Sequence, residues 1–93
     1  MLIHIPTPLR AYTGQKESVS VLATTVAASL EALVAQYPDL RANLFGSDGK
    51  LRSFVNVYLN DDDVRYLPEK ENSSVKDSDE ITIIPSIAGG RRR

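Results

Sequence analysis

The C-terminal end of the 93-residue chain holds the residues with the clearest chemical potential, Ala88-Gly89-Gly90 followed by Arg91-Arg92-Arg93. Small residues let an extended backbone enter a channel that is too narrow for ordinary side chains. Gly90 has no reactive side chain, so the group that it can offer is its own carboxyl. That carboxyl is an amide while Arg91 is attached, and its activation with ATP by a partner enzyme requires it to be free. A frayed terminus is the simpler alternative, because chain ends are commonly poorly ordered.

A short β-branched segment, Ile81-Thr82-Ile83-Ile84, precedes this tail and predicts a strand. Pro85 follows it and cannot donate to a sheet ladder, so we expect the chain to leave the sheet there. From Pro85 to Gly90 an extended chain reaches roughly 17 Å, at about 3.4 Å per residue. The sequence therefore predicts a folded domain over residues 1–85 and a flexible tail over residues 86–93.

Composition excludes several classes of function. The chain has no cysteine, which rules out disulfides, thiolate metal sites and cysteine nucleophiles. Three of the eleven Lys and Arg residues are the last three, which leaves eight basic against twelve acidic residues in positions 1–90. This acidic balance argues against nucleic acid as the main partner. No apolar run approaches the length of a membrane span and no secretory leader is recognisable, so we expect a cytoplasmic protein without a membrane partner.

The apolar pattern of the first half predicts a hairpin and one main helix. Apolar and polar residues alternate over residues 2–5 and 17–21, which predicts two strands joined by a long loop. Thr24 or Thr25 can cap a helix that ends at Pro38 and carries one apolar stripe. We expect this stripe to lie across the sheet and to form the core with the inward side chains of the strands: Val19, Val21, Val26, Leu30, Leu33, Val34, Val55, Val57, Leu59, Ile81 and Ile83.

The second half predicts a strand over residues 54–60, an acidic turn over residues 60–63 and a further short strand over residues 64–67. Adjacent aspartates cannot all converge on one cation without a calcium-type loop, so we expect no metal site in the turn. His4, the single histidine, is interpreted as a tolerated polar position without a carboxylate partner.

One face of the predicted sheet is a candidate partner-binding surface. Phe54 and Tyr58 alternate away from the core, and Ile84 does so on the last strand. Exposed apolar clusters of this kind usually mark interaction sites. We therefore predict a partner-binding set formed by Phe54, Tyr58, Ile84 and Ile87.

The order of elements, with two strands, a helix and three more strands, resembles the β-grasp fold of ubiquitin. That fold is an α+β arrangement in which a mixed sheet of four to five strands packs on one main helix. With Ala88-Gly89-Gly90 after the last strand, the chain resembles the sulfur-carrier family that includes the small subunit of molybdopterin synthase and the thiamine-pathway carrier. It is most similar to the actinobacterial branch for cysteine biosynthesis, in Ile5-Pro6-Thr7, Leu9-Arg10, Thr13-Gly14, Phe54-Val55-Asn56-Val57-Tyr58, Asn60-Asp61 and Asp63-Val64-Arg65.

This resemblance implies a protein cosubstrate that has no catalytic residues of its own and binds no cofactor. Gly90 would be adenylated by an enzyme of the ubiquitin-activating type, which uses the ATP, and would become a thiocarboxylate. The sulfur would pass to an acceptor such as a cysteine synthase, and a zinc metalloprotease would release the product. Arg91–Arg93 depart from the family pattern, in which the tail ends at the second glycine. Either a protease first trims them, or they are a solvated basic tail and the protein is not a carrier in this form.

Three other interpretations remain open at this point. The chain could be the small subunit of a molybdopterin synthase, or a ubiquitin-like modifier or interaction module that carries no sulfur. An enzyme in its own right is the least favoured, because the sequence supplies no nucleophile and base pair, no metal cluster and no phosphate loop.

Overall fold

Five strands and two α-helices make up the computed structural model, which describes residues 1–53 and 55–85 of the chain. Short 3-10 helices connect them at Thr7–Thr13, Pro38–Leu40, Val64–Tyr66 and Lys70–Asn72. The strands and α-helices, numbered in chain order, are β1 (Leu2–His4), β2 (Ser18–Ser20), α1 (Val26–Gln36), α2 (Arg41–Leu44), β3 (Val55–Leu59), β4 (Asp62–Asp63) and β5 (Glu80–Pro85).

The strands form one mixed sheet in the order β2-β1-β5-β3-β4. β5 lies at its centre, parallel to β1 with Ile3 opposite Ile81, and antiparallel to β3 with Val57 opposite Ile83. β1 and β2 form the predicted hairpin. The structure thus confirms the predicted mixed sheet.

The core lies between α1 and one face of this sheet. Side chains alternate between the two faces of a strand, and Ile3, Ile81 and Ile83 point inward with at most 1% exposure. Ten of the eleven predicted core residues are buried, and Leu59, the last residue of β3, is half-buried. The described core also includes Met1, Ile3, Ile5, Leu9, Leu40, Leu44, Val64 and Val75.

α1 begins at a threonine cap and ends before a proline. Thr25 has an extended backbone, and its side chain accepts a 3.1 Å hydrogen bond from the N–H of Ala28. This bond satisfies one of the free N–H groups at a helix start and identifies Thr25, rather than Thr24, as the cap. The helix ends at Gln36, two residues before Pro38, as predicted. Within the described ranges, the helices are too short or too polar to cross a membrane.

The prediction of a strand over residues 64–67 is wrong. Pairing with β3 occurs earlier, at Asp62 and Asp63, and Val64–Tyr66 is a 3-10 helix. The Asp63 carboxylate accepts a 2.9 Å bond from the N–H of Arg65, and the N–H of Leu67 bonds the carbonyl of Val64 at 3.1 Å. A capped turn therefore satisfies the backbone that a strand would have paired, and it also buries Val64.

Candidate partner-binding face and tail attachment

The predicted tail begins at the end of the central strand. Pro85 is the last residue of β5 and lies opposite Val55, the first residue of β3. The N–H of Val55 donates to the carbonyl of Arg52 at 3.0 Å, and proline has no N–H to offer. The ladder between β3 and β5 therefore ends at the pair of Val55 and Pro85.

Most of the predicted functional residues lie outside the described part of the chain. These are Phe54 and Ile87 of the predicted partner-binding set, Ala88 and Gly89 in the tail, Gly90 as the reactive residue, and the extension Arg91–Arg93. The predictions made for them, and the division between residues 1–85 and 86–93, stay predictions.

Tyr58 and Ile84 lie on the sheet face that points away from α1. Residues directly opposite each other in a ladder share a face, and the register pairs Tyr58 with Thr82 and Asn56 with Ile84. Tyr58 and Ile84 are thus diagonal neighbours, at a Cα separation of roughly 7–8 Å. Ile84 is 46% exposed and Tyr58 is half-buried. We call this surface the outer sheet face and define it by Leu2, His4, Asn56, Tyr58, Thr82 and Ile84.

Arg65 lies against this face and links β3 to the turn after β4. Its Nη2 donates to Oδ1 of Asn56 at 2.6 Å and to Oδ2 of Asp63 at 3.2 Å. Because Asp63 is paired with Tyr58 in the β3–β4 ladder, both partners of Arg65 project from the outer sheet face. The arrangement places the ion pair of Arg65 and Asp63 on the same face as the exposed Ile84.

The Arg65–Asp63 contact shifts the titration of both groups. Side-chain hydrogen bonds from Arg65, followed by the bond from its backbone N–H, hold the pKa of Asp63 below its ordinary value. Hydrogen bonding to the Asp63 carboxylate and its negative charge raise the pKa of Arg65. Hydrogen bonds to the charged form of a group favour that form, so each partner favours the ionised state of the other.

His4 has a carboxylate partner, contrary to the sequence interpretation. Its Nε2 lies 2.5 Å from Oε1 of Glu80, which projects from the neighbouring strand β5. The two residues are 76 positions apart in the sequence, so the contact depends on the parallel pairing of the first and last strands. No local pattern in the sequence could have indicated it.

The acidic turn has a structural role at Asp63, which caps the 3-10 helix after β4. Asn60, at the start of the turn, has a positive φ of 55°, a conformation that asparagine adopts more easily than most residues. In the described ranges, no three His, Asp or Glu side chains come together as a metal site.

Comparisons with known proteins identify relatives along almost the whole chain. Residues 3–90 match the ThiS family. Sulfur carrier protein CysO of Mycobacterium tuberculosis is 41% identical over 90 residues, which cover 95% of this chain and 96% of CysO. In the crystal structure of the Amycolatopsis orientalis BexX/CysO complex, one chain matches with a TM-score of 0.84 and 38% identity, over 96% of this chain and 98% of that chain.

A relative of another kind has the same fold. The crystal structure of SAMP1 from Haloferax volcanii matches with a TM-score of 0.82 and 28% identity, over 97% of this chain and 98% of that chain. These neighbours confirm the β-grasp fold that the element order predicts. The chain belongs to the ThiS family of ubiquitin-like sulfur carriers.

Proposed function

We propose that this protein is a sulfur carrier for cysteine biosynthesis in which Gly90 holds the sulfur. The main support is the 41% identity with sulfur carrier protein CysO over 95% of the chain. The match to the ThiS family ends at Gly90 and leaves Arg91–Arg93 outside it. This end point agrees with a precursor that is trimmed after the second glycine. The protein would then be a cosubstrate of partner enzymes, and it would need no catalytic side chain.

The chemistry needs a free carboxylate at Gly90. In the first step a carboxylate oxygen of Gly90 attacks the α-phosphorus of ATP, which is bound by the activating enzyme, and pyrophosphate leaves. In the second step sulfide attacks the carbonyl carbon of this adenylate, and AMP leaves with one of the two carboxyl oxygens. The product is a thiocarboxylate. An amide between Gly90 and Arg91 has no such oxygen, so a protease must hydrolyse that bond first.

The acceptor step would use the thiocarboxylate as a sulfur nucleophile. A cysteine synthase presents an activated serine, whose leaving group departs as the new carbon–sulfur bond forms. Transfer of the Gly90 acyl group to the amine then leaves cysteine attached through an amide. A metalloprotease hydrolyses this amide, which releases cysteine and regenerates the carboxylate of Gly90.

The outer sheet face is proposed as the surface on which these partners dock. It combines the exposed side chain of Ile84 with Tyr58 and with the ion pair of Arg65 and Asp63. It is also close to the point where the chain leaves β5, since Ile84 directly precedes Pro85. A partner seated on this face would therefore receive the tail.

The test compares residues 1–93 with residues 1–90 as two separate proteins. Each is incubated with the adenylating enzyme of its host, ATP and sulfide, and is then weighed by intact-protein mass spectrometry. We expect only the shorter form to gain the mass of one sulfur in place of one oxygen. Thiocarboxylation of uncut residues 1–93 would contradict the precursor step. If neither form is modified, the sulfur-carrier proposal is wrong.

A ubiquitin-like modifier is the second candidate, and one comparison favours it. Small archaeal modifier protein 1 of Haloferax volcanii is 32% identical over 66 residues, 71% of this chain and 70% of that protein. A modifier joins its C-terminal carboxyl to lysine amines of other proteins, whereas a carrier for cysteine or molybdopterin synthesis passes on sulfur. Covalent conjugates of residues 1–90 in host lysate, without a thiocarboxylate form, would favour the modifier.

A further inference from the structure

A cavity of about 440 Å³ opens between α1 and the edge of the sheet at β3. Val55 and Val57 form part of its wall and point toward the core, so it lies on the side of the sheet opposite to the outer sheet face. The cavity and the outer sheet face thus lie on opposite sides of the sheet, and Arg65 borders both of them. The side chains that give it an apolar interior are Leu30, Phe45, Leu51, Val55, Val57 and Val64.

The cavity exists because β3 is only partly covered on one side. β4 has two residues and pairs with Tyr58 and Leu59, so among the described residues no strand pairs with Val55–Val57 on the side away from β5. The segment after α2 forms the facing wall. It is held by a bridge between Phe45 and Leu51 and by a 2.8 Å bond from the N–H of Gly46 to the carbonyl of Lys50.

The rim of the cavity has an excess of positive charge. Two of its charged residues are neutralised by ion pairs, Glu31 with Arg41 at 3.0 Å and Arg65 with Asp63 at 3.2 Å. Lys50 and Arg52 form no ion pair within the described part of the chain, and Glu71 is the one further charged residue of the lining. Two cations therefore face one anion, although residues 1–90 as a whole are acidic.

Arg52 is positioned at this rim by a backbone contact. Its Nε donates a 2.8 Å hydrogen bond to the carbonyl of Ala42. This neutral acceptor fixes the guanidinium without cancelling its charge. A second, more polar cavity next to the first is lined by Lys50 and Arg52 together with Asp48, whose carboxylate accepts a 3.0 Å bond from the backbone N–H of Lys50. Both cations therefore border a polar space as well as the apolar one.

We propose that this cavity binds a small amphipathic organic anion. Small-molecule sites have volumes of roughly 300–1,000 Å³ and combine an apolar lining with a few polar groups that orient the ligand. The apolar body would occupy the space between Leu30, Leu51 and Val57. Its carboxylate or phosphate would lie at Lys50 and Arg52, which are complementary to it in charge. This proposal does not depend on the sulfur-carrier function.

The experiment titrates the full 93-residue protein with octanoate, octyl phosphate and the neutral octanol, and follows backbone amide NMR signals. We expect saturable shifts at Leu30, Leu51 and Val57 with either anion, and at least tenfold weaker binding of octanol. The tighter of the two anions identifies the preferred head group. Shifts centred on Ile84 instead, or equal binding of octanol, would overturn the proposal, as would the absence of any shift at the cavity.

Two variants make the test specific. The double variant Lys50→Gln/Arg52→Gln should weaken octanoate binding at least tenfold. The matched control Lys16→Gln/Lys76→Gln removes the same charge from exposed positions that do not line the cavity, and it should bind as the parent does. Ala27→Leu adds volume at the wall and should also reduce binding. Equal effects of the two double variants would show a general charge effect and would refute the proposed site.

Discussion

Nη2 of Arg65 donates a 2.6 Å hydrogen bond to Oδ1 of Asn56, the residue that lies directly opposite Ile84 in the sheet. The 3-10 helix after β4 is thereby joined to the centre of the outer sheet face. The same guanidinium contacts Asp63, which caps that 3-10 helix. One arginine thus links the local turn to the surface proposed for partner docking.

The Asp63–Arg65 contact predicts a pH-dependent contribution to stability. The pKa of Asp63 is held below its ordinary 3.8 by hydrogen bonds from Arg65, so the folded state binds the proton more weakly than the unfolded chain. The stabilisation is complete above about pH 4 and is lost as the pH falls through the folded-state pKa. We expect the difference in unfolding free energy between the parent and Asp63→Asn to shrink between pH 4 and pH 2 in urea titrations.

A second carboxylate with a lowered pKa does not interfere with this comparison. Asp79 accepts hydrogen bonds from the N–H of Lys76 and from the side chain of Asn60, and these lower its pKa. It is present in both proteins, so its pH dependence cancels in the difference. A difference between the parent and Asp63→Asn that stays constant down to pH 2 would contradict the role assigned to Arg65.

The sequence predicts those parts of the fold that local patterns specify. The helix, its proline stop and the alternation of β3 and β5 depend on residues that are close together in the sequence, and their predicted positions agree with the structure. The His4–Glu80 and Arg65–Asn56 contacts depend on strand pairing and on the exact register of the β3–β4 hairpin. The apolar pattern of residues 64–67 predicts a strand, which does not indicate the contact of Arg65 with Asn56. Candidate-site residues beyond Pro85 rest on sequence and resemblance alone.

Thr25 gives a test of the helix start. Its side chain accepts the N–H of Ala28, and loss of such a cap costs about 0.5–2 kcal/mol. We expect Thr25→Ala to lower the free energy of unfolding by this amount, measured by urea denaturation. Thr24→Ala is the control, because Thr24 is exposed and its contact with Val75 uses the backbone carbonyl. An equal loss in both variants would be inconsistent with Thr25 as the cap.

Leu33 gives a test of the packing between α1 and the sheet. Its side chain is completely buried, whereas Leu22 is 84% exposed. Truncation of a buried leucine leaves a cavity and costs about 2–5 kcal/mol, so Leu33→Ala should lower the melting temperature markedly. Leu22→Ala makes the same chemical change at the surface and should leave it nearly unchanged. Calorimetry on the two variants checks this, and similar melting temperatures would show that the helix packs differently.

Ile84 gives the test of partner docking on the outer sheet face. It is 46% exposed beside Tyr58, and a few residues usually supply most of the binding energy of an interface. With residues 1–90, Ile84→Asp should raise the KM for the activating enzyme at least tenfold, because a charge would have to be desolvated where an apolar contact was lost. Tyr58→Ala should weaken the interaction in the same direction. Both variants should keep the parent's circular dichroism spectrum.

The matched control is Leu22→Asp, which places the same charge on an exposed leucine outside the strands of the sheet. Its KM should equal that of the parent, because the control changes net charge as much as Ile84→Asp does but leaves the outer sheet face intact. If Ile84→Asp and Leu22→Asp raise KM equally, the effect is a general electrostatic one. If Ile84→Asp and Tyr58→Ala are both activated as efficiently as the parent, the activating enzyme docks on a different surface. In that case the activating enzyme would recognise the tail without the sheet. The tail ending at Gly90, fused to an unrelated β-grasp domain, should then be activated equally well.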